Sequence, residues 1–288
     1  MKKQKPSGTL KKFLDVRDKN TQVVGSVERY LLARPRDTSR STTVIHPSEM
    51  AKPDWCHRAQ YHMLLGLPPA PSKFKTSLKQ LLTFDEGHRI HGRWQAWLGE
   101  MGVLYGMWVC DTCKNAGWGL GDCGHPKALY KEVPVNATEL RISGHADGWI
   151  KNLGEEDMLL EIKSVGEGSF RWEAPDLFYA HSGDMKKMWS NFKAPFMTHI
   201  MQVQIYLKVL EIMFPDDHPK QAVFIYENKA SQEVKEFIIP KNGFAVDELF
   251  EAAAHIVAAV DKQDPPACNI DSVAGCYKCN YYLEDNNG

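Results

Sequence analysis

The 288-residue sequence predicts an α/β protein in which helices flank a central mixed sheet. Two observations favour this fold class. Segments with helical spacing of apolar residues lie in the first third of the chain and again in its last third. Between and among them stand short strand-like runs, broken by Gly, Asn and Asp. Hydrophobic residues make up 43% of the chain and charged residues 25%, which is ordinary for a globular protein.

The first third of the chain is predicted to be helical. Residues 21–35 fit a short helix that ends before a proline. A second helix is expected over 46–65, with Ser48 as its cap. After the proline-rich turn 65–72, the segment 74–100 predicts a long helix with apolar residues at Leu78, Leu81, Leu82, Ile90, Trp94 and Leu98.

The rest of the chain alternates strands and helices. The runs LYGMWV, ALYKEVPV, ELRISGHADGWIKN and DMLLEIKSV predict strands, and the Gly- and Asp-rich loop 110–126 predicts little regular structure. Helices are expected at 174–189 and 195–213. A strand pair, QAVFIYEN and EVKEFIIP, follows around residues 229–231, and a last helix at 244–262 leads into a cysteine-bearing tail.

Charge is distributed unevenly along the chain. The formal net charge is −1, but residues 1–40 carry +7 and the remainder carries −8. The whole chain is therefore not a basic nucleic-acid-binding protein. Residues 1–40 form either a basic N-terminal arm that holds DNA or a solvated tail, and residues 41–288 form the predicted domain.

The sequence predicts neither a membrane span nor an export signal. No run approaches the roughly 18 apolar residues that a span requires. The N-terminal segment MKKQKPSGTLKK is basic and lacks the apolar region of a secretory signal. We therefore expect a cytoplasmic protein.

The strongest pattern for chemistry is formed by Asp147, in GHADGWI, and by Glu161 and Lys163, in LEIKS. Residues i and i+2 of a strand point to the same face, and a hairpin would bring Asp147 beside them. Two carboxylates can hold Mg²⁺ or Mn²⁺, and an ammonium group can orient water or stabilise negative charge. Charged residues on a strand usually form a solvated face. Glu161 and Lys163, however, interrupt the apolar run from Met158 to Ile162.

Two flanking patterns add to this site. The chain contains, in order, the four segments Gly87–His91, Gly144–Asp147, Glu161–Lys163 and Gln202–Tyr206. This set resembles the RecB-type branch of the PD-(D/E)XK nucleases, whose pattern is GxxxH, GxxD, (D/E)xK and QxxxY. The resemblance covers roughly residues 45–285 and implies a restriction-endonuclease-like fold in a bacterial or phage protein.

The resemblance also implies a metal site. His91, Asp147, Glu161 and the backbone carbonyl of Ile162 would bind Mg²⁺ or Mn²⁺. His88 stands three residues before His91 and is the alternative histidine.

The resemblance assigns the remaining motif residues to catalysis. Lys163 would be the catalytic base or would orient the attacking water. Gln202 and Tyr206, four residues apart on one helical face, would position the DNA strand or Lys163.

Seven cysteines, an odd number, favour metal binding over disulfides in a chain without an export signal. One of them, Cys56, precedes a basic, aromatic segment, and three others stand near the end at Cys268, Cys276 and Cys279. This arrangement is similar to that of AddB-type and CRISPR-associated exonucleases of the same superfamily. It implies a 4Fe–4S cluster in which the segment 268–279 joins the two ends of the domain.

The middle of the chain offers a second group of ligands, Cys110, Cys113, Cys123 and His125. Their spacing predicts a structural zinc site in an inserted loop, 110–125. A different pairing is also open. The CxxC pairs at 110/113 and 276/279 would then form a four-cysteine zinc ribbon and leave the other three cysteines as buried thiols.

These patterns together predict a metal-dependent DNA exonuclease that acts on single-stranded or resected DNA ends. A role in recombination, repair or phage DNA processing would fit, as would a recombinase or helicase partner. Two alternatives remain at this point: a non-catalytic scaffold that binds DNA ends, and a site-selective endonuclease of the same fold.

Overall fold

The computed structural model describes residues 22–34, 41–67, 76–119, 125 and 128–270. The chain divides into two compact units. The first comprises Met1–Arg40 and Ser72–Asp85, and the second comprises Ser41–Pro71 and Glu86–Gly288. The described part of the first unit contains helix α1 (Gln22–Ala33) and the beginning of helix α4 (Leu78–Glu100). Both helices were predicted. All the strands described below belong to the second unit.

A five-stranded mixed sheet lies at the centre of the second unit. Its order is β1 (Leu104–Tyr105), β7 (Gly148–Ile150), β8 (Met158–Val165), β9 (Gln221–Asn228) and β10 (Val234–Pro240). Strands β8 and β9 are parallel, and every other neighbouring pair is antiparallel. The predicted fold class, a central mixed sheet flanked by helices, is therefore confirmed.

Four helices connect the parallel strands β8 and β9, as a parallel pair requires. They are α5 (Glu167–Glu173), α6 (Pro175–Ala180), α7 (Met185–Asn191) and α8 (Met197–Met213). The prediction of α8 is confirmed, but that of one helix over 174–189 is wrong. Ser182 and Gly183 have φ angles of 51° and 74°, which end α6, and the Asp184 carboxylate then caps α7 by accepting from the Lys187 N–H at 3.2 Å.

The central sheet separates two apolar cores. Alternation along β8 directs Leu159, Glu161, Lys163 and Val165 to one face and Leu160 and Ile162 to the other. The first face packs against α8 in the larger core. The second face packs against α4 in the smaller core. The two helices that carry the flanking motifs therefore cover opposite faces of β8.

Two smaller sheets complete the strand arrangement. Strands β2 (Met107–Cys110), β3 (Ala116–Trp118) and β4 (Ala128–Tyr130) form one, with β2 in the middle. Strands β5 (Val133–Ala137) and β6 (Ile142–Ala146) form the other. The loop predicted to begin at residue 110 is thus partly a hairpin. The run ELRISGHADGWIKN, predicted as one strand, breaks at Asp147 and divides between two sheets.

The prediction of a single helix over 46–65 is wrong. The chain forms α2 (Pro47–Met50) and α3 (His57–Leu64), separated by a segment that contains Pro53, which cannot donate a helical hydrogen bond. Ser48 therefore lies inside α2 and does not cap a long helix. The side chain of Cys56 caps α3, since its sulfur accepts from the Ala59 N–H at 3.4 Å.

The last helix, α9 (Asp247–Lys262), confirms the prediction for 244–262 apart from a single 3-10 turn at Gly243–Val246. It packs against α3. Among the helices that the structure describes, none combines the length and the apolar composition needed to cross a membrane.

Candidate active site

Asp147 occupies the point at which the chain leaves the two-stranded sheet and enters the central sheet. Gly148 pairs with Leu160 in the antiparallel β7–β8 register, so the preceding residue, Asp147, lies beside Glu161. Asp147 is 8% exposed, and its Oδ2 atom accepts a 2.6 Å hydrogen bond from the backbone N–H of Ile162. The predicted proximity of Asp147 to the ExK segment is therefore present.

The bond to Ile162 also locates a backbone carbonyl. Strand β7 pairs only with residues 158–160 of β8, so beyond Leu160 this edge of β8 has no β7 partner. The N–H and C=O of one residue in a strand point to the same edge. Because the Ile162 N–H points to Asp147, the Ile162 carbonyl faces the same open edge, as the predicted role of a metal ligand requires.

His91, on α4, is the histidine that reaches Asp147. Its Nδ1 atom lies 3.1 Å from Asp147 Oδ1. Burial lowers the pKa of His91, but the hydrogen bond and the charge of Asp147 outweigh burial, and the pKa is raised. His88, the alternative from the sequence, is exposed on α4. The geometry thus brings His91 and not His88 to Asp147.

Glu161 and Lys163 form a close ion pair on the face of β8 that α8 covers. The Lys163 Nζ atom lies 2.6 Å from Glu161 Oε1, and Glu161 is only 3% exposed. Burial raises the pKa of Glu161 against the opposing charge of Lys163, and Asp147 raises it further. Burial lowers the pKa of Lys163, but Glu161 and Asp147 reverse the effect and raise it, so the ammonium form is favoured.

The motif residues of α8 complete this group. The Gln202 side chain donates from Nε2 to Glu161 Oε1 at 3.1 Å and to the Tyr206 hydroxyl at 3.0 Å. Its Oε1 atom accepts from Lys163 Nζ at 3.3 Å. Gln202 therefore contacts both members of the ion pair, and Tyr206 contacts Gln202.

Two motif glycines allow the close approach of these elements. A Cβ atom at Gly87 would lie 3.3 Å from Ser164 Oγ, so the absence of a side chain lets α4 approach β8. A Cβ atom at Gly144 would lie 3.3 Å from the ring of Tyr206. Both contacts are tighter than ordinary van der Waals contacts, which gives a physical reason for glycine at these positions.

Glu132 is a third carboxylate of the site that the sequence patterns did not indicate. The Gln95 Nε2 atom lies 3.5 Å from Glu132 Oε1 and donates at 2.9 Å to the backbone oxygen of Asp147. Burial raises the pKa of Glu132, and the charge of Asp147 raises it further. Glu132 also has a φ angle of 64°, an uncommon conformation for a residue with a side chain. It lies between two short strands and belongs to no motif.

The residue types gathered here suit a hard divalent cation. Burial raises the pKa values of Glu161 and Glu132, and the negative charge of Asp147 raises both further, so a cation would relieve the repulsion between these carboxylates. Oxygen ligands and a histidine are suitable donors for Mg²⁺ or Mn²⁺. Binding would require neutral His91, so the ion would replace the proton that His91 shares with Asp147.

A second ligand group lies in the hairpin of β2 and β3. The ligand atoms of Cys110, Cys113 and His125 all lie within 4.8 Å of one another. The Cys113 N–H donates to Cys110 Sγ at 3.4 Å, and Lys114 follows with a φ angle of 61°. The turn therefore directs both sulfurs to one point beside His125. Cys123, the fourth predicted ligand, lies outside the described residues.

The segment 268–270 returns to the start of α3. Asn269 donates to the Trp55 carbonyl at 3.0 Å and accepts from the His57 N–H at 2.9 Å, so it joins the residues on both sides of Cys56. Cys56 is buried and Cys268 is exposed. Cys276 and Cys279, the other two predicted cluster ligands, lie outside the described residues, as does one half of the alternative zinc ribbon.

Comparisons with known proteins give similarities of fold only. No protein-family model and no curated protein matches the sequence. Among solved structures, the chain is similar to the alkaline exonuclease LHK-Exo from Laribacter hongkongensis, with a TM-score of 0.44 and 10% sequence identity. LHK-Exo in complex with dAMP gives a TM-score of 0.45, also at 10% identity. Each match covers 77% of this chain and 90% of the other.

A third similar structure is SSO0001, with a TM-score of 0.35 and 13% identity. The match covers 82% of both chains. The function proposed for this protein therefore rests on the arrangement of its own side chains.

Proposed function

We propose that this chain is a metal-dependent DNA exonuclease with a restriction-endonuclease-like fold, which hydrolyses phosphodiester bonds at DNA ends. One observation carries the proposal: four motifs that are distant in sequence supply a single connected group of side chains, joined through the Ile162 N–H. Its members are His91, Asp147, Glu161, Lys163, Gln202 and Tyr206.

The proposed metal ligands are His91, Asp147, Glu161 and the Ile162 carbonyl, with Glu132 a further carboxylate close to Asp147. When bound, Mg²⁺ or Mn²⁺ would polarise the scissile phosphate and lower the pKa of a coordinated water. The protein holds the Asp147 carboxylate in place with the Ile162 N–H, and it holds the Glu161 carboxylate with Lys163 and Gln202.

Lys163 is proposed to act on the attacking water or on the developing negative charge. Its ammonium form is favoured by Glu161 and Asp147, so a positive charge is present beside the carboxylates. The Gln202 oxygen orients the ammonium group, and Tyr206 in turn fixes the Gln202 amide. Each of these side chains is therefore positioned before substrate binds.

The division into domains and the two further metal sites are proposed from the sequence patterns, together with those cysteine and histidine ligands that the structure describes. Residues 1–40 would be a basic arm on DNA, and 41–288 the nuclease domain. Cys110, Cys113, Cys123 and His125 would hold structural zinc. Cys56, Cys268, Cys276 and Cys279 would hold a 4Fe–4S cluster. A recombinase or helicase would be a fitting partner in recombination, repair or phage DNA processing.

The test is digestion of end-labelled linear DNA and closed circular DNA by the purified full chain with Mg²⁺ or Mn²⁺. Wild-type protein is expected to degrade the linear substrate and spare the circle. Glu161→Gln is expected to abolish hydrolysis, because it removes a carboxylate from the metal site while keeping its shape. The matched control is Glu236→Gln, an exposed residue on β10 of the same sheet, which should retain full activity.

Three results would contradict the exonuclease assignment. Cleavage of the circle would indicate an endonuclease of the same fold. Binding of DNA ends without hydrolysis by wild-type protein would indicate a scaffold. Equal activity of wild type and Glu161→Gln would show that the active site lies elsewhere.

A further inference from the structure

His199 extends the motif face of α8 by one turn. It lies three residues before Gln202 and seven before Tyr206, and residues at these spacings share one side of a helix. The motif set that the sequence indicated does not include it. The side of α8 that contacts Glu161 and Lys163 therefore carries a third polar side chain, nearer to the start of the helix.

The contacts of His199 favour one position for its ring proton. Its Nδ1 atom lies 2.7 Å from the Tyr226 hydroxyl, and the two rings stack with centroids 5.8 Å apart. Tyr226 is fully buried and its oxygen accepts from the Phe196 N–H at 3.3 Å, so among the described residues His199 Nδ1 is the acceptor available to the hydroxyl proton. The Nδ1 atom of His199 is then an acceptor, and the ring proton resides on Nε2.

The surroundings of His199 keep the ring neutral. Tyr226 pairs with Lys163 in the parallel β8–β9 register, so both side chains project from the same face of the sheet. Burial lowers the pKa of His199, with a further contribution from the charge of Lys163, to about 2. An uncharged imidazole is therefore held close to the proposed catalytic lysine.

The Nε2 atom of His199 is the ring nitrogen that remains for a ligand. Within the part of the chain that the structure describes, only the Nδ1 atom of His199 has a hydrogen-bond partner. The residue is partly exposed, unlike the fully buried Tyr226 on which it stacks. A neutral donor at this position can bind an anion without adding a second cation beside Lys163.

We propose that His199 Nε2–H donates a hydrogen bond to a non-bridging phosphate oxygen of the DNA strand bound beside Lys163. The inference rests on the proposed nuclease function and adds a substrate-contacting residue to it. The alternative is a purely structural role, in which His199 only accepts the hydrogen bond of the Tyr226 hydroxyl. In that case the Nε2 proton would have no contact with DNA.

The first experiment compares kcat/KM on single-stranded DNA for His199→Ala, His199→Gln and wild type. The alanine variant is expected to lose about 10- to 100-fold, the usual effect of one hydrogen bond to a charged group. The glutamine variant is expected to recover much of this loss, because its amide can donate from near the Nε2 position. His218→Ala is the matched control, since this buried histidine follows the far end of α8 and bonds the Phe214 carbonyl.

The second experiment needs no hydrolysis. Nitrogen and proton NMR of His199 is recorded in Glu161→Gln protein with and without a short single-stranded oligonucleotide, in the presence of Ca²⁺. We expect a neutral Nε2–H tautomer from pH 6 to pH 8, the range in which free histidine would titrate. We also expect its proton resonance to move when the oligonucleotide binds.

The outcomes separate the two proposals. If Glu161→Gln abolishes hydrolysis but His199→Ala keeps the wild-type kcat/KM, the nuclease stands and the His199 contact is wrong. If His199→Gln is as impaired as His199→Ala, a support role for Tyr226 is indicated instead. If wild-type protein does not hydrolyse DNA, the nuclease proposal fails. In that case an Nε2–H resonance unchanged by bound oligonucleotide would also overturn the His199 contact.

Discussion

At the scale of single residues, Gln202 shows why this position suits an amide. The side chain donates to a carboxylate, Glu161, and accepts from an ammonium group, Lys163. A carboxylate could not make the first contact and an ammonium group could not make the second. The amide therefore holds the Glu161 carboxylate and the Lys163 ammonium group in place without adding charge to a buried site.

We predict that Gln202→Ala lowers kcat by about 10- to 100-fold, because a preorganised contact to each charged group is lost. The control is Gln204→Ala on the same helix. Gln204 is also buried, but it bonds the backbone of Pro240 and Asn242. Its loss is expected to lower the free energy of unfolding by about 1–3 kcal/mol and leave kcat unchanged.

The measurement is kcat at saturating DNA, with urea unfolding of the same preparations. A Gln202→Ala enzyme that keeps the wild-type kcat would show that the amide is only structural.

At the scale of elements, a buried carboxylate joins α4 to the central sheet. Glu227, on β9, accepts hydrogen bonds from the Arg93 guanidinium and from the indole N–H of Trp94, the latter at 2.9 Å. Glu227 is almost fully buried, whereas Arg93 is partly exposed. These contacts hold the face of α4 that also carries His91. The orientation of the helix thus depends on polar contacts as well as on the apolar core beneath it.

We predict that Arg93→Ala lowers the free energy of unfolding by about 2 kcal/mol, because Glu227 stays buried with one partner fewer. The double variant Arg93→Leu with Glu227→Leu should recover part of that loss, since no unpaired charge remains. Lys52→Ala, which breaks an exposed pair with Glu49, should cost about 0.5 kcal/mol or less. Urea unfolding of the three variants tests this order, and a smaller loss for Arg93→Ala than for Lys52→Ala would contradict it.

At the scale of the whole molecule, the described cysteines lie in different places. Cys110 and Cys113 stand at the turn of the β2–β3 hairpin. Cys56 lies at another place, where Asn269 brings the end of the described chain back to α3. A metal at the first place would hold a local loop. A cluster at the second would close most of the chain into one loop and so constrain the unfolded state.

We predict that anaerobically purified protein is brown and contains about four iron atoms and about one zinc per chain, as a 4Fe–4S cluster and a structural zinc site require. Cys56→Ser should lose iron and keep zinc. Cys110→Ser, a change at an equally buried cysteine, should lose zinc and keep iron. Elemental analysis of the three proteins is the measurement. A colourless anaerobic sample with zinc alone would favour the four-cysteine ribbon.

Local sequence patterns were sufficient to predict several helices and strands. Strand β8, helices α1, α4, α8 and α9, and the β9–β10 pair follow from the period of their apolar residues. The errors fall where short-range features interrupt a longer pattern. Pro53 separates α2 from α3, and Ser182 with Gly183 separates α6 from α7. Each break depends on one or two residues within a segment whose composition otherwise favours a helix.

The sequence by itself determined the chemistry that Asp147, Glu161 and Lys163 can offer, because residue type and strand alternation are local properties. Only the tertiary structure decided which other groups meet them. Glu132 and His199 approach the site through contacts with distant residues, Gln95 and Tyr226. No spacing along the chain encodes such a contact, because it arises when separate elements pack on the two faces of one sheet. That packing, and not the motif pattern, places a third carboxylate and a neutral histidine beside the predicted residues.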